Sequence, residues 1–518
     1  MWLWSEIKTL GDIPRHYART LPGKPALIDA TGPTSFAALD AASNRVANAL
    51  LARGVAPGAR VAFLGKNTAR YFEVLFGVNK AGASLMPLNW RLAPPEMVAI
   101  MEDAAPALLI VDREYEAVAP QIARTAQGEC PWIVFDATQP GGAPFDRWLQ
   151  EASADDPQID VNPWHTAVLM YTSGTTGKPK GVQLSHQGYL YLRLCEHLDP
   201  SFKYAASDVM LTVMPLFRAM GTGLSLQALY NGAAVAIYSM PDPGNLLKLI
   251  ARDRPTILPL VPTVIQMLLD HPDAASADYS SVRIVVYAGS PIGSHTLERA
   301  IRAMKCDFMQ FYGATETGAG VTFLRPEQHR LDDQTKLKSC GSVLPLIDIK
   351  VADPEGNEVP VGQVGEFLIR SPSITTGYFN QPETTAAALR DGWYRSGDAG
   401  YQDAEGFLYI VDRVKDMIIS GGENVYSTEV EQALQQLRGV QMCAVVGLPD
   451  DRWGERVVAA IVADPSAGLS SDDVIAHCRT LIAGYKVPKQ IEFVQALPMT
   501  PTGKVKKREL REQFLKGN

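Results

Sequence analysis

Between Thr34 and about residue 320, short apolar runs alternate with segments whose apolar positions recur at helical spacing. That alternation restricts the chain to α/β layers around a largely parallel sheet. RVAFLG, YFEVLFGVNKAG and SLMPL read as a strand, helix, strand unit. ALLIVD, TAVLMYT, DVMLTVMPLF, AAVAIYS, TILPLVP and RIVVYAGS repeat the strand element. SFAALDAASNRVANALLARG places Phe36, Leu39, Val46 and Leu50 on one helical face, with Thr34 as its cap and Gly54 as its end.

A chain of 518 residues and 56.3 kDa exceeds what one core serves, so at least two domains are expected. After about Gly341 the apolar runs shorten and are broken by turns such as DPEGNE (353–358) and DAEGF (403–407), the texture of a β-rich subdomain. From Lys415 a third texture begins. Two helical segments, STEVEQALQQLRG and SSDDVIAHCRTLIAG, alternate with strands around MCAVVG, RVVAAIVA and QIEFVQALP, forming an α+β unit of independent-domain size. The expected organisation is α/β and β: a large N-terminal domain of layered α/β sheets over 1–412, with its β-rich subdomain at about 341–412. A hinge at 413–416 and a small mobile α+β domain over 417–518 follow.

A net charge of -8 and the lack of a basic tract exclude nucleic acid as the main partner. The six cysteines are scattered without a CxxC pair or metal-ligand spacing, as in a reduced, cytoplasmic protein. MWLWSEIKTLGDIPRHYART has no continuous apolar core of a signal peptide, and Trp2, Leu3 and Trp4 read first as part of an N-terminal helix packed on its own domain and second as a peripheral membrane contact. No apolar run reaches the ~18 residues of a membrane helix. Oligomeric state is left open, a homodimer included.

YTSGTTGKPKG, from Tyr171 to Gly181, begins where the buried strand TAVLMYT ends, the usual place for a ligand crevice in an α/β sheet. Gly174 and Gly177 let backbone N–H groups approach phosphate oxygens. Thr172, Ser173, Thr175 and Thr176 add hydroxyl donors, and Lys178 and Lys180 add charge. A P-loop is excluded, because the glycines stand too close to Lys178 and Pro179 occupies the position of the Mg²⁺-binding hydroxyl. By composition alone the segment would also suit a surface turn.

Other segments remove that alternative. The loop resembles the phosphate-binding signature of the ANL superfamily, which comprises acyl-CoA synthetases, peptide-synthetase adenylation domains and luciferases. The resemblance continues, in family order, in QFYGATET (310–317), WYRSGDAG (393–400), YIVDRVKDMIISGGENVYSTEVE (409–431) and PTGKVKKREL (501–510). It implies an AMP-forming acid–thiol ligase that uses ATP, Mg²⁺ and CoA to convert a carboxylic acid to an acyl adenylate and then a thioester. The chemistry is coherent. A carboxylate, with a pKa of ~4, needs no base to attack phosphorus, so catalysis reduces to positioning and stabilising negative charge.

By the same resemblance Glu316 holds Mg²⁺. Tyr312 stacks on adenine within an ATP site that also takes Gln310, Phe311, Gly313 and Thr315. Ala288, Gly289, Ser290 and Pro291 form the other wall, with Ser290 replacing a more usual alanine or glutamate. Asp398 and Arg413 bind the ribose, and Ser396 stands where a threonine is usual. Lys504 bridges the substrate carboxylate and the α-phosphate, making it catalytic together with Thr175, Glu316 and Arg413. Lys415 lies at the hinge, and Gly421, Gly422 and Glu423 face pantetheine when the small domain rotates for thioester formation.

The acyl pocket is expected around Phe217, Arg218, Met220, Gly221, Ala288, Gly313 and Ala314. Many acyl-CoA synthetases carry histidine after the phenylalanine of MPLF, and here that position is Arg218, which stays protonated near neutrality and cannot act as a base. It must meet an acid, a phosphate or the substrate, since a buried unpaired guanidinium is costly. The small residues Ala219, Gly221 and Gly223 leave room for a bulky apolar acid, with medium or long fatty acids first, hydroxycinnamates second and an acid with a second distal carboxylate third. An adenylation module loading a carrier protein is the nearest rival, and FRAMG lacks the aspartate that grips amino acids. A non-catalytic acyl-adenylate binder is the rival of another class, opposed by intact Lys504, Glu316 and Asp398.

Overall fold

The computed structural model describes residues 6–125, 128–135, 143–172, 179–199, 201, 203–239, 242–420, 423–450, 452–499 and 505–516. Trp2, Leu3 and Trp4 lie outside them. The chain forms two units, one of residues 1–348 with 369–394, the other of 349–368 with 395–518.

The first unit contains the expected α/β layers as two mixed sheets of nine and seven strands. In the larger, Pro25–Asp29, Ala234–Ile237, Val209–Thr212, Ile257–Leu260, Ile284–Ala288 and Asp307–Gly313 run parallel, and antiparallel strands close its edges. Strands covered on both faces need continuous apolar sequence. Ser84–Pro87, Leu108–Val111, Ala234–Ile237 and Ile257–Leu260 are accordingly buried at every position. In the smaller sheet Thr166–Thr172 lies parallel to Ser84–Pro87, with Val168 opposite Leu85, and antiparallel to Lys180–Ser185, with Thr172 opposite Lys180.

The first long helix spans Phe36–Ala52, and its cap is Ser35, whose Oγ accepts the Ala38 N–H at 3.2 Å. Thr34, the expected cap, instead ends in the strand Gly32–Ser35. This helix packs on Ala69–Lys80, where a Cβ on Gly77 would come within 2.5 Å of Val46. DVMLTVMPLF yields strand only over Val209–Thr212. Beyond it Asn67 fixes a turn, donating to the carbonyls of Met214 and Tyr238 and accepting the Leu216 N–H.

In the second unit residues 398–402 pair antiparallel with Leu408–Arg413, and both quoted turns close through glycine at positive φ, Gly356 and Gly406. A long hairpin, Val440–Asp450 with Gly454–Ala463, carries helices on both faces. Val430, Leu434, Val474 and Cys478 pack on one side, and Leu510 with Phe514 on the other. The division groups residues differently from a cut at 412. Buried Asp412 accepts from the Ser427 N–H at 2.5 Å and from the Ser427 hydroxyl at 2.7 Å, so the hairpin's end caps the helix Ser427–Gln435.

Candidate active site

Parallel strands deliver their following loops to one edge of a sheet, where ligands bind in α/β folds. Thr172 ends one such strand and Lys180 opens its partner, so the two fix the ends of the glycine loop. Ser173, Gly174, Thr175, Thr176, Gly177 and Lys178 lie outside the described residues. Ala288 ends the strand Ile284–Ala288 and Gly289, Ser290 and Pro291 follow it, with Gly289 at a φ of +89°. Asp307–Gly313 lies beside that strand with Ala288 opposite Phe311, bringing the two expected walls of the adenine site together. The Phe311 side chain belongs to the core, stacked on Phe323 at 6.2 Å, whereas Tyr312 is half-buried. Gln310 accepts a hydrogen bond from the Tyr287 hydroxyl at 3.3 Å.

Glu316 sits in the single turn Thr315–Thr317. The Thr317 hydroxyl closes that turn, accepting the Ala314 N–H at 2.9 Å and donating to the Ala319 carbonyl at 2.6 Å. A Cβ on Gly318 would stand 2.8 Å from the Ser373 carbonyl, so glycine is required there. The Thr375 N–H donates to the Glu316 carbonyl at 2.7 Å, and the Tyr378 hydroxyl donates to Glu316 Oε1 at 3.0 Å. Burial first and Glu316 second raise the Tyr378 pKa, so the phenol keeps its proton and remains a donor.

The same segment grips the glycine loop's flanks. The Phe379 N–H donates to the Gly181 carbonyl, Gln381 Nε2 donates to the Pro179 carbonyl, and Lys180 Nζ stands 4.8 Å from the Tyr378 ring. Sequence reasoning passed over SITTGYFNQ. Its signal was a Ser/Thr/Gly cluster with two aromatics, which as composition alone looks like an ordinary loop.

Of the expected acyl-pocket residues, Phe217 is buried, Met220 is half-buried and Arg218 is exposed at the start of the helix Ala219–Tyr230. Gly221 has a backbone role, since a Cβ would meet the Pro215 carbonyl at 2.4 Å. Gly313 is similar, with the Ala319 carbonyl at 2.2 Å. Arg218 meets no acid among the described residues, contrary to one of the three expected outcomes. Burial of its surroundings and the nearby Arg91 lower its pKa, in that order.

In the second unit Asp398 and Arg413 are cross-strand partners, and Arg413 Nε lies 2.8 Å from Asp398 Oδ1. Asp398 is buried and Arg413 half-exposed, so one carboxylate is held in place by a guanidinium that also reaches solvent. Ser396 Oγ accepts the Asp398 N–H at 3.0 Å, retaining a hydroxyl contact where a threonine is usual. Lys415 lies in the turn Val414–Asp416, and Glu423 pairs with Ser420 in a short hairpin. Gly421, Gly422 and Lys504 lie outside the described residues.

The AMP-binding enzyme family model matches residues 14–379, and the AMP-binding enzyme C-terminal domain matches 429–504. The chain belongs to the AMP-binding enzymes. Within that family it is similar to a feruloyl-CoA synthase of Amycolatopsis sp, 38% identical over 98% of this chain and 99% of the relative. A long-chain-fatty-acid–CoA ligase of Mycobacterium tuberculosis is 34% identical over 98% and 99%. Among solved structures, ATP-bound MatB from Rhodopseudomonas palustris superposes with a TM-score of 0.86 at 29% identity, covering 97% of this chain and 99% of that one. This AMP-binding enzyme is therefore an adenylate-forming acyl-CoA ligase of the ANL superfamily, and no described helix is long and apolar enough to cross a membrane.

Proposed function

We propose that this ligase joins an apolar carboxylic acid with a distal oxygen, of the arylpropenoic type, to CoA through an acyl adenylate. The observation that supports the acid class is the 38% identity, over 98% of this chain, to a relative named feruloyl-CoA synthase. A medium or long fatty acid is the second reading, supported by the mycobacterial long-chain-fatty-acid–CoA ligase at 34% identity.

Glu316 fits a role in holding Mg²⁺. Tyr378 occupies Oε1, and the other oxygen accepts no bond among the described residues. No described cluster of three or more metal-ligating side chains competes for the ion. One carboxylate combined with substrate phosphates is the usual Mg²⁺ environment. The ion would neutralise charge on the phosphates; the protein's own part is to orient. Tyr378 sets the carboxylate, Thr172 and Lys180 fix the ends of the phosphate loop, and Asp398, aligned by Arg413, accepts from ribose hydroxyls. Lys504 supplies the positive charge at the α-phosphate. Pyrophosphate release over acetate, octanoate, palmitate, cinnamate and ferulate tests the reading. Ferulate should exceed cinnamate. Best activity on acetate would refute an apolar pocket, and best activity on palmitate would favour the second reading.

A further inference from the structure

Asp103 is a carboxylate in an unfavourable place. It lies in the last turn of the helix Pro94–Ala104, a turn with no basic residue, and a helix C-terminus favours cations over anions. The chain compensates from another strand. Arg60 Nε donates to the Ala104 carbonyl at 2.7 Å and Arg60 Nη2 to the Ala105 carbonyl at 3.0 Å, so a guanidinium covers the end of the helix beside the acid. A local rule broken and compensated in this way points to a contact elsewhere that the residue serves.

Two bonds to Asp103 reach opposite flanks of the glycine loop. Its carboxylate accepts from the Tyr171 hydroxyl at 2.5 Å, beside Thr172, where the strand Thr166–Thr172 enters the loop. Its carbonyl accepts from Asn380 Nδ2 at 2.9 Å. Asn380 stands between Phe379, whose N–H donates to the Gly181 carbonyl at 2.8 Å, and Gln381, whose Nε2 donates to the Pro179 carbonyl at 3.0 Å. The strand that leaves the loop is therefore gripped by a segment that Asp103 anchors. Tyr171 and Gly181 are also cross-strand partners, and a Cβ on Gly181 would come within 3.0 Å of Tyr171 Cζ and 3.2 Å of Phe379 Cβ. The Tyr171 ring thus lies across the exit strand. Burial first, and the bond to Asp103 second, raise the Tyr171 pKa, so the phenol keeps its proton and remains a donor.

We infer that Asp103 is a positioning residue for the ATP phosphates, and that through Tyr171 and Asn380 it holds the two ends of the glycine loop at a fixed spacing. The inference rests on the reading of that loop as the phosphate clamp. Ends fixed in advance leave less ordering to be done when ATP binds, so affinity for the phosphates rises without any contact between Asp103 and the nucleotide. AMP lacks the β- and γ-phosphates and gains little from the same arrangement.

The test compares equilibrium binding of ATP and of AMP by calorimetry, with a melting temperature for each variant. Tyr171→Phe and Asp103→Ala should each raise the Kd for ATP about tenfold, the scale of a lost hydrogen bond to a charged group, and leave that for AMP unmoved. Thioester formation from supplied acyl adenylate and CoA should be unmoved as well. Asp103→Asn keeps an oxygen acceptor for Tyr171 and should retain more ATP affinity than Asp103→Ala; equal losses in these two variants overturn the inference. Parallel losses for ATP and AMP, which mark a general defect of the fold, overturn it too, as does full ATP affinity in Tyr171→Phe. That variant removes a single oxygen and carries the test if Asp103→Ala does not fold. If Thr175→Ala and Lys178→Ala both leave ATP binding unmoved, the clamp reading fails first and the positioning role with it.

Discussion

The Tyr378 hydroxyl donates to Glu316 Oε1 at 3.0 Å, across 62 positions of sequence. The bond leaves the second carboxylate oxygen directed by its partner's geometry. Tyr378→Phe should therefore lower acyl-adenylate formation about tenfold, as for loss of a hydrogen bond to a charged group. The Mg²⁺ concentration for half-maximal rate should rise with it. Steady-state rates across a Mg²⁺ series check this, and an unchanged Mg²⁺ dependence would separate Tyr378 from the ion.

Lys504→Ala should slow adenylation by ~10²-fold or more, the scale for loss of a preorganised charge facing the transition state. Thioester formation from supplied acyl adenylate and CoA should persist. Equal loss of both half-reactions in a folded variant would show that the lysine serves more than one step.

His186 is buried, accepts the Leu10 N–H on Nδ1 at 3.2 Å, and has its pKa lowered by burial from 6.5 to about 3. His329, also buried, is lowered to about 4. As pH falls below 6.5 the unfolded chain gains protons that the folded chain refuses. The stability from keeping these rings neutral is thus complete above pH 6.5 and lost on acidification toward 3 to 4. One such group amounts to ~2 kcal/mol between pH 6.5 and 5. Urea midpoints should fall over that interval, and His186→Gln should flatten the fall. A pH-independent midpoint would contradict the neutral assignment.

Asp412 joins the second unit's hairpin to the helix Ser427–Gln435, and Lys507 extends the link by donating to Ser427 Oγ and pairing with Glu431 at 2.8 Å. Asp412→Ala strands a buried N–H and a hydroxyl, at a cost of about 1–3 kcal/mol. Amide exchange over 427–435 should quicken in this variant. Protection equal to that of the unaltered protein would mean the cap contributes little.

The layered α/β architecture was legible because strands buried on both faces, such as Ala234–Ile237, must be apolar throughout, and because Phe36, Leu39, Val46 and Leu50 repeat at helical period. Glu316, Asp398 and Arg413 were singled out by the resemblance of their motifs, and the structure adds what each side chain touches. Tyr378 and Asn67 were not. Each acts through partners more than 60 positions away, and neither stands in a local pattern that a period or a turn signal detects. The grouping of 349–368 with 395–518 has no marker in local sequence either. Asp412 likewise acts through Ser427, 15 positions on, which no local pattern shows. Arg218 was visible as a departure, but its companion Arg91, brought close by two separate sheets, was not.

Acid-dependent exchange of labelled pyrophosphate into ATP, run without CoA, tests the central claim most directly. The account predicts exchange that requires Mg²⁺ and the acid and proceeds with no thiol present. Added CoA should then drive the reaction to acyl-CoA and AMP. Exchange that needs CoA, or formation of ADP and orthophosphate in place of AMP and pyrophosphate, would contradict an acyl-adenylate route.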